Sequence, residues 1–146
     1  MGQRRKSREG TLQILFQLEF DDSEPDDVIK QFWKGKKASR EIKDYSSFLI
    51  KGIISHQDSI DRIIQSASDH WRLSRMAVVD RNILRMAVFE LLYEEGLAPA
   101  IVINEAIEVS KKFSSEQAAQ FINGILDALR RQSDAEKEAL KDNENN

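Results

Sequence analysis

Arg4, Arg5, Lys6 and Arg8 lie within five positions of one another near the start of the chain. Planar guanidinium forks at such a spacing suit phosphate oxygens, which they engage two bonds at a time. On a helix, Arg4 and Arg8 share a face and Arg5 sits about 100° away. Cations at a helix N-terminus oppose the macrodipole and cost a few tenths of a kcal/mol each. A basic helix start therefore points to an anionic partner, the alternative being a solvated terminus. Unpaired RNA bases stack on aromatic rings while basic groups hold the backbone. Phe16 and Phe121 are the candidate stackers, although each also fits an apolar helix stripe.

Catalysis has weaker support. Glu105 could act as a base, and Glu90 and Glu94 stand one turn apart, but no nucleophile–base–orienter set or phosphate-cradling glycine loop accompanies them. Asn104, Glu105 and Asn123 read instead as structural groups that bridge helix ends or satisfy loop carbonyls. There is no cysteine, which excludes disulfides and thiolate chemistry, and the two histidines, His56 and His70, lack metalloprotease spacing. We expect no enzyme activity, no metal and no cofactor.

The formal net charge of −3 hides a segregated distribution. Residues 1–9 carry a net +3, residues 19–27 carry −6 through Glu19, Asp21, Asp22, Glu24, Asp26 and Asp27, and residues 71–85 carry +3. The whole is no generic nucleic-acid binder, yet the local clusters permit nucleic-acid contact. No apolar run reaches the roughly 18 residues of a bilayer span, and the basic, early-amphipathic start is unlike a secretory signal. The expectation is a cytoplasmic protein.

These side chains must be positioned by helices. Leu12, Leu15 and Phe16 stripe a first helix from about Gln3 to Asp21, and Val28, Ile29, Phe32 and Trp33 a short second one with Pro25 in its first turn. Leu49, Ile53, Ile60, Ile63, Ile64 and Ala67 predict one long third helix. A break falls at Trp71–Ser74, with Trp71 expected to fill the gap between two halves of the molecule in preference to serving as a stacking platform. Leu84, Ala87, Val88, Leu91 and Leu92 mark a central helix, with Gly96 placed for a left-handed cap. Pro99 opens the next helix, and Ser114-x-x-Gln117 reads as a capping box for the last. That helix carries Ala118, Phe121, Ile122, Ile125, Leu126 and Leu129 on one face, with Gly124 among them. A glycine there costs about 1 kcal/mol relative to alanine, so a close backbone approach is expected. Beyond Ser133 the composition predicts a disordered tail. The fold class is all-α, since no strand alternation survives more than a few residues.

Four segments in order carry a family resemblance. Arg4-Arg5-Lys6-Ser7-Arg8-Glu9, then Trp71-Arg72-Leu73-x-Arg75, then Asp80-Arg81-x-Ile83-Leu84-Arg85-x-Ala87-x-x-Glu90-Leu91, and finally Pro99 with Asn104-Glu105-Ala106 and Phe121-x-Asn123-Gly124-x-Leu126-Asp127 resemble the NusB family of bacterial transcription antitermination factors. The resemblance implies two three-helix subdomains packed into one domain: residues 1–70, residues 71–132 and an acidic tail at 133–146. It implies a non-catalytic adaptor that binds single-stranded boxA-type RNA of ribosomal RNA leaders with the NusE-type small-subunit ribosomal protein. Other Nus factors and RNA polymerase would complete the assembly, and the protein alone would be a monomer or weak homodimer. Carried over by motif, the RNA-contact set is Arg4, Arg5, Arg8, Phe16, Asp80, Arg85, Gln117 and Phe121. Phe16 stands where family members often have tyrosine, and Gln117 where some have an acid. Two other readings compete: a helical protein-interaction module without RNA binding, and the accessory domain of an RNA methyltransferase lacking its catalytic half.

Overall fold

A computed structural model describes residues 2–144 of the chain. Its elements among the described residues are all helical: α1 Gly2–Phe20, α2 Pro25–Trp33, α3 Arg40–Ser55, α4 Gln57–Ser66, a 3-10 turn at Leu73–Arg75, α5 Val78–Tyr93, α6 Pro99–Phe113 and α7 Glu116–Glu144. The all-α expectation holds. Every residue of α5 from Asn82 to Glu90 is buried, and α1, α3, α4, α6 and α7 all pack against this helix. A helix buried all round must find partners for its polar side chains, and α5 carries three such: Asn82, Arg85 and Glu90. The buried apolar side chains of both halves join in one continuous core around it.

α1 crosses α3 through small polar residues that let the two helices approach. Ser7 donates to the Ile42 carbonyl at 2.8 Å, and the Thr11 and Ser46 hydroxyls meet at 2.8 Å. Two glycines make room for aromatics. A Cβ on Gly10 would stand 2.7 Å from the Trp33 ring, and one on Gly52 would overlap the Phe89 ring.

Several local expectations are revised. The single long third helix is two, α3 and α4, bent at His56, whose φ of −114° and ψ of 17° cap one and begin the other. Sharp bends favour Gly/Ser pairs, and Gly52 and Ser55 immediately precede this one. The last helix is capped one residue later than the capping box implies: Ser115 Oγ accepts from the Ala118 N–H at 3.0 Å, while Ser114 ends α6. Gly96 does adopt a left-handed φ of +93°, but in the connection after Glu94, the residue that caps α5. Gly124 is exposed, and a Cβ there would meet nothing within 4 Å, so no backbone approaches it. The acidic tail expected from Ser133 is helical to Glu144. Ala, Glu, Lys and Leu are good helix formers, and α7 continues past the core on that propensity.

Candidate nucleic-acid interface

The N-terminal arginines end in three different environments. Arg8 is turned inward, its side chain 4% exposed, and donates from Nε and one terminal nitrogen to the two oxygens of Glu90, both at 2.8 Å. Tyr45 donates its hydroxyl to the same Glu90 carboxylate at 2.5 Å. Burial works against the Arg8 charge, and the hydrogen bonds and charge of Glu90 outweigh it, so the guanidinium is held above its ordinary value. Burial and the Glu90 charge push the Tyr45 phenol upward as well. Arg8, one of the RNA-contact set that the resemblance implies, braces α1 against α5 with its Nε edge on Glu90, and its remaining nitrogen stands 3.7 Å from Glu105.

Arg5 lies at the edge of this cluster, its side chain 30% exposed, and grips Glu105 of α6 with two bonds of 2.9 Å. That hydrogen bond is the main reason the Arg5 charge is strengthened and the Glu105 carboxyl is held below its ordinary value. Arg4 is the most open of the three, its guanidinium 3.6 Å above the Tyr45 ring centre and 3.7 Å from Glu94. Lys112 of α6 meets Glu9 at 2.6 Å beside them. The structural reading of Glu105 fits this geometry, whereas Asn104 and Asn123 are exposed and bridge no buried helix ends.

At the other end of α1, Arg85 forms a second strut. It donates twice to Asp61 of α4, at 2.8 and 3.0 Å, and its third nitrogen reaches Glu19 at 3.0 Å and the Asn82 side-chain oxygen at 3.1 Å. Asp80 and Arg85, both in the contact set that the resemblance implies, make no ion pair with each other. Arg85 is 7% exposed, and Asp80 sits half-buried in the first turn of α5, where a carboxylate favours the helix dipole. Asp80 Oδ1 and the Asn82 amide nitrogen are buried without a partner among the described residues.

The aromatic candidates are open. Phe16 is 43% exposed and packs on Phe20, itself 71% exposed, at 5.2 Å. Phe16 follows Arg5 by three helical turns, so both fall on one face about 16 Å apart along α1. Gln117 is exposed in the first turn of α7, and Phe121 is half-buried one turn on. Phe121 meets Trp71 edge-on, with ring centres 6.4 Å apart. Trp71, expected as a wedge, is 58% exposed instead. Glu19, Tyr45, Asp61 and Phe20 were missed in the sequence; Phe20 alone left a signal, standing i+4 from Phe16.

The result is an all-helical domain whose basic, aromatic-flanked first helix is braced by buried ion pairs, and no helix among the described residues is long and apolar enough to cross a membrane. The sequence pattern of the NusB family matches residues 5–131, and the chain belongs to that family. It is 44% identical over 129 residues to the transcription antitermination protein NusB of Leptospira biflexa serovar Patoc, covering 88% of this chain and 92% of that one. Among solved structures, T. maritima NusB superposes with a TM-score of 0.81 at 34% identity, covering 88% of this chain and 90% of its own. The antitermination factor NusB solved with NusE and dsRNA matches with a TM-score of 0.81 at 26% identity, covering 90% and 98%.

Proposed function

We propose that this chain is an RNA-binding transcription antitermination factor that acts without catalysis in the cytoplasm. It engages boxA-type single-stranded RNA of ribosomal RNA leaders together with a NusE-type ribosomal protein, and joins other Nus factors on RNA polymerase. The observation that carries this reading is family membership across nearly the whole chain, joined to the match with NusB bound to NusE and dsRNA.

The geometry supports a division of labour within the RNA-contact set. Arg4, Arg5, Phe16, Gln117 and Phe121 are open enough to meet a strand, while Arg8 and Arg85 hold the helices that present them and Asp80 sits half-buried at the start of α5. Residues 1–70 and 71–132 serve as two subdomains joined through the α1–α5 struts. A small cationic surface favours a joint interface, because few phosphate contacts give weak and salt-sensitive binding. The acidic run at 19–27 would attract a basic partner.

The test is fluorescence anisotropy of a labelled boxA-type RNA titrated with the protein, with and without the NusE-type partner. Binding that tightens with the partner, falls on a scrambled strand and falls again on a duplex of the same sequence is expected. Partner binding with no RNA effect would leave a helical protein-interaction module.

A further inference from the structure

The loop after α4 holds Trp71 outward by a specific set of bonds. The Gln65 side chain donates to the Ser68 carbonyl at 3.1 Å and to the Trp71 carbonyl at 2.9 Å, and accepts from the Leu73 N–H at 2.9 Å. Buried Ser68 adds a hydroxyl bond to the Trp71 carbonyl at 3.0 Å. One glutamine thus ties the backbone of residues 68–73 and fixes the direction in which the indole emerges. A large aromatic ring gains most from burial, yet this one is 58% exposed at the surface with the Phe121 ring beside it. Phe121 stands nearly perpendicular to the indole, so among the described residues no aromatic ring stacks on it in parallel.

The charge around the indole selects the occupant. His70, Arg72 and Arg75 are exposed, and Asp69 is the sole acid between residues 68 and 79. Arg72 also lines an open concavity with Gln65, Arg81, Arg85 and Asp61, the carboxylate of Asp61 being bound to Arg85. A planar ring beside two free guanidiniums fits a nucleobase whose phosphate is held next door. We propose that Trp71, backed by Phe121 and flanked by Arg72, is a stacking seat for one unpaired RNA base. It rests on the RNA-binding reading above and adds a residue that lies outside the contact set carried over from the family. Gln65 is its positioning residue.

The test uses the full chain and a short single-stranded boxA-type RNA. Trp71→Ala should weaken binding roughly 5- to 150-fold, the loss expected for one base–aromatic stack. Trp71→Phe, which keeps a ring, should stay within about threefold of wild type on the same grounds. RNA should quench part of the tryptophan emission of the wild-type protein, and that quenching should vanish in Trp71→Phe, where Trp33 alone emits. The duplex form of the same RNA should not quench. Wild-type affinity in Trp71→Ala, or emission unchanged at saturating RNA, overturns the seat while leaving the RNA-binding reading intact. Loss of protein-partner binding alone in Trp71→Ala overturns it too. A wild-type protein that binds no RNA overturns both.

Discussion

Arg5 and Arg8 stand three positions apart and do different work because the helix turns one of them inward. Arg8 and Glu90 are both nearly inaccessible, so removing one partner strands the other as an uncompensated interior charge. Arg8→Ala should therefore lower stability by about 3–5 kcal/mol, measured by urea unfolding, and a loss below 1 kcal/mol would remove the strut. The Arg5–Glu105 pair should make stability depend on pH. The Glu105 carboxyl is held below its ordinary value, chiefly by the Arg5 hydrogen bond, so the folded state favours the ionised form. Its contribution is complete above the unfolded value of about 4.3 and disappears as pH falls through the lowered folded value. Melting temperatures of wild type and Glu105→Gln should converge as pH drops below about 4.3 and stand apart at neutral pH. Curves that remain parallel would mean the pair contributes nothing to stability.

Helices and their junctions follow from local chemistry with a register that only packing decides. Ser114 and Ser115 both suit a cap, and the structure uses the second. Ser115→Ala should cost about 0.5–2 kcal/mol while Ser114→Ala stays near neutral, a contrast readable from two thermal melts. At the bend between α3 and α4, Gly52 leaves space that the Phe89 ring occupies. Gly52→Ala inserts a methyl group where a ring already sits and should destabilise by about 1–3 kcal/mol despite alanine's better helix propensity. A more stable Gly52→Ala would show that Phe89 moves aside without cost. The expected single helix failed at this bend because the apolar stripe keeps its period across it. The expected backbone contact at Gly124 failed for a related reason: a glycine on an exposed face leaves the same mark in sequence as one under a crossing helix.

For the whole molecule, burying Arg8 and Arg85 shrinks the cationic surface that the sequence suggests. With Arg4 and Arg5 of the contact set and Arg72 of the proposed seat each neutralising a phosphate, a single strand gives a log–log salt slope of about −2.1. A slope twice as steep would bring further cations into contact, Lys6 and Arg75 first. The measurement is anisotropy across a series of potassium chloride concentrations without the partner protein.

Composition and period by themselves determined that this chain is all-helical, which faces of most helices are apolar and where the basic and acidic segments lie, and four motifs in order added the resemblance to the family. Those properties are local or nearly so: a stripe repeats every three or four residues, and a charge cluster is contiguous. Tertiary structure alone decided which arginines meet water. Arg8 finds Glu90 across 82 positions and Arg85 finds Asp61 across 24, and nothing in the spacing of a motif reveals whether a distant carboxylate will close on it. It decided the fate of Trp71 as well. A tryptophan at a break between helices could fill the gap or stand outside it, and here the side chain of Gln65 and the hydroxyl of Ser68 tie the loop so that the ring faces solvent.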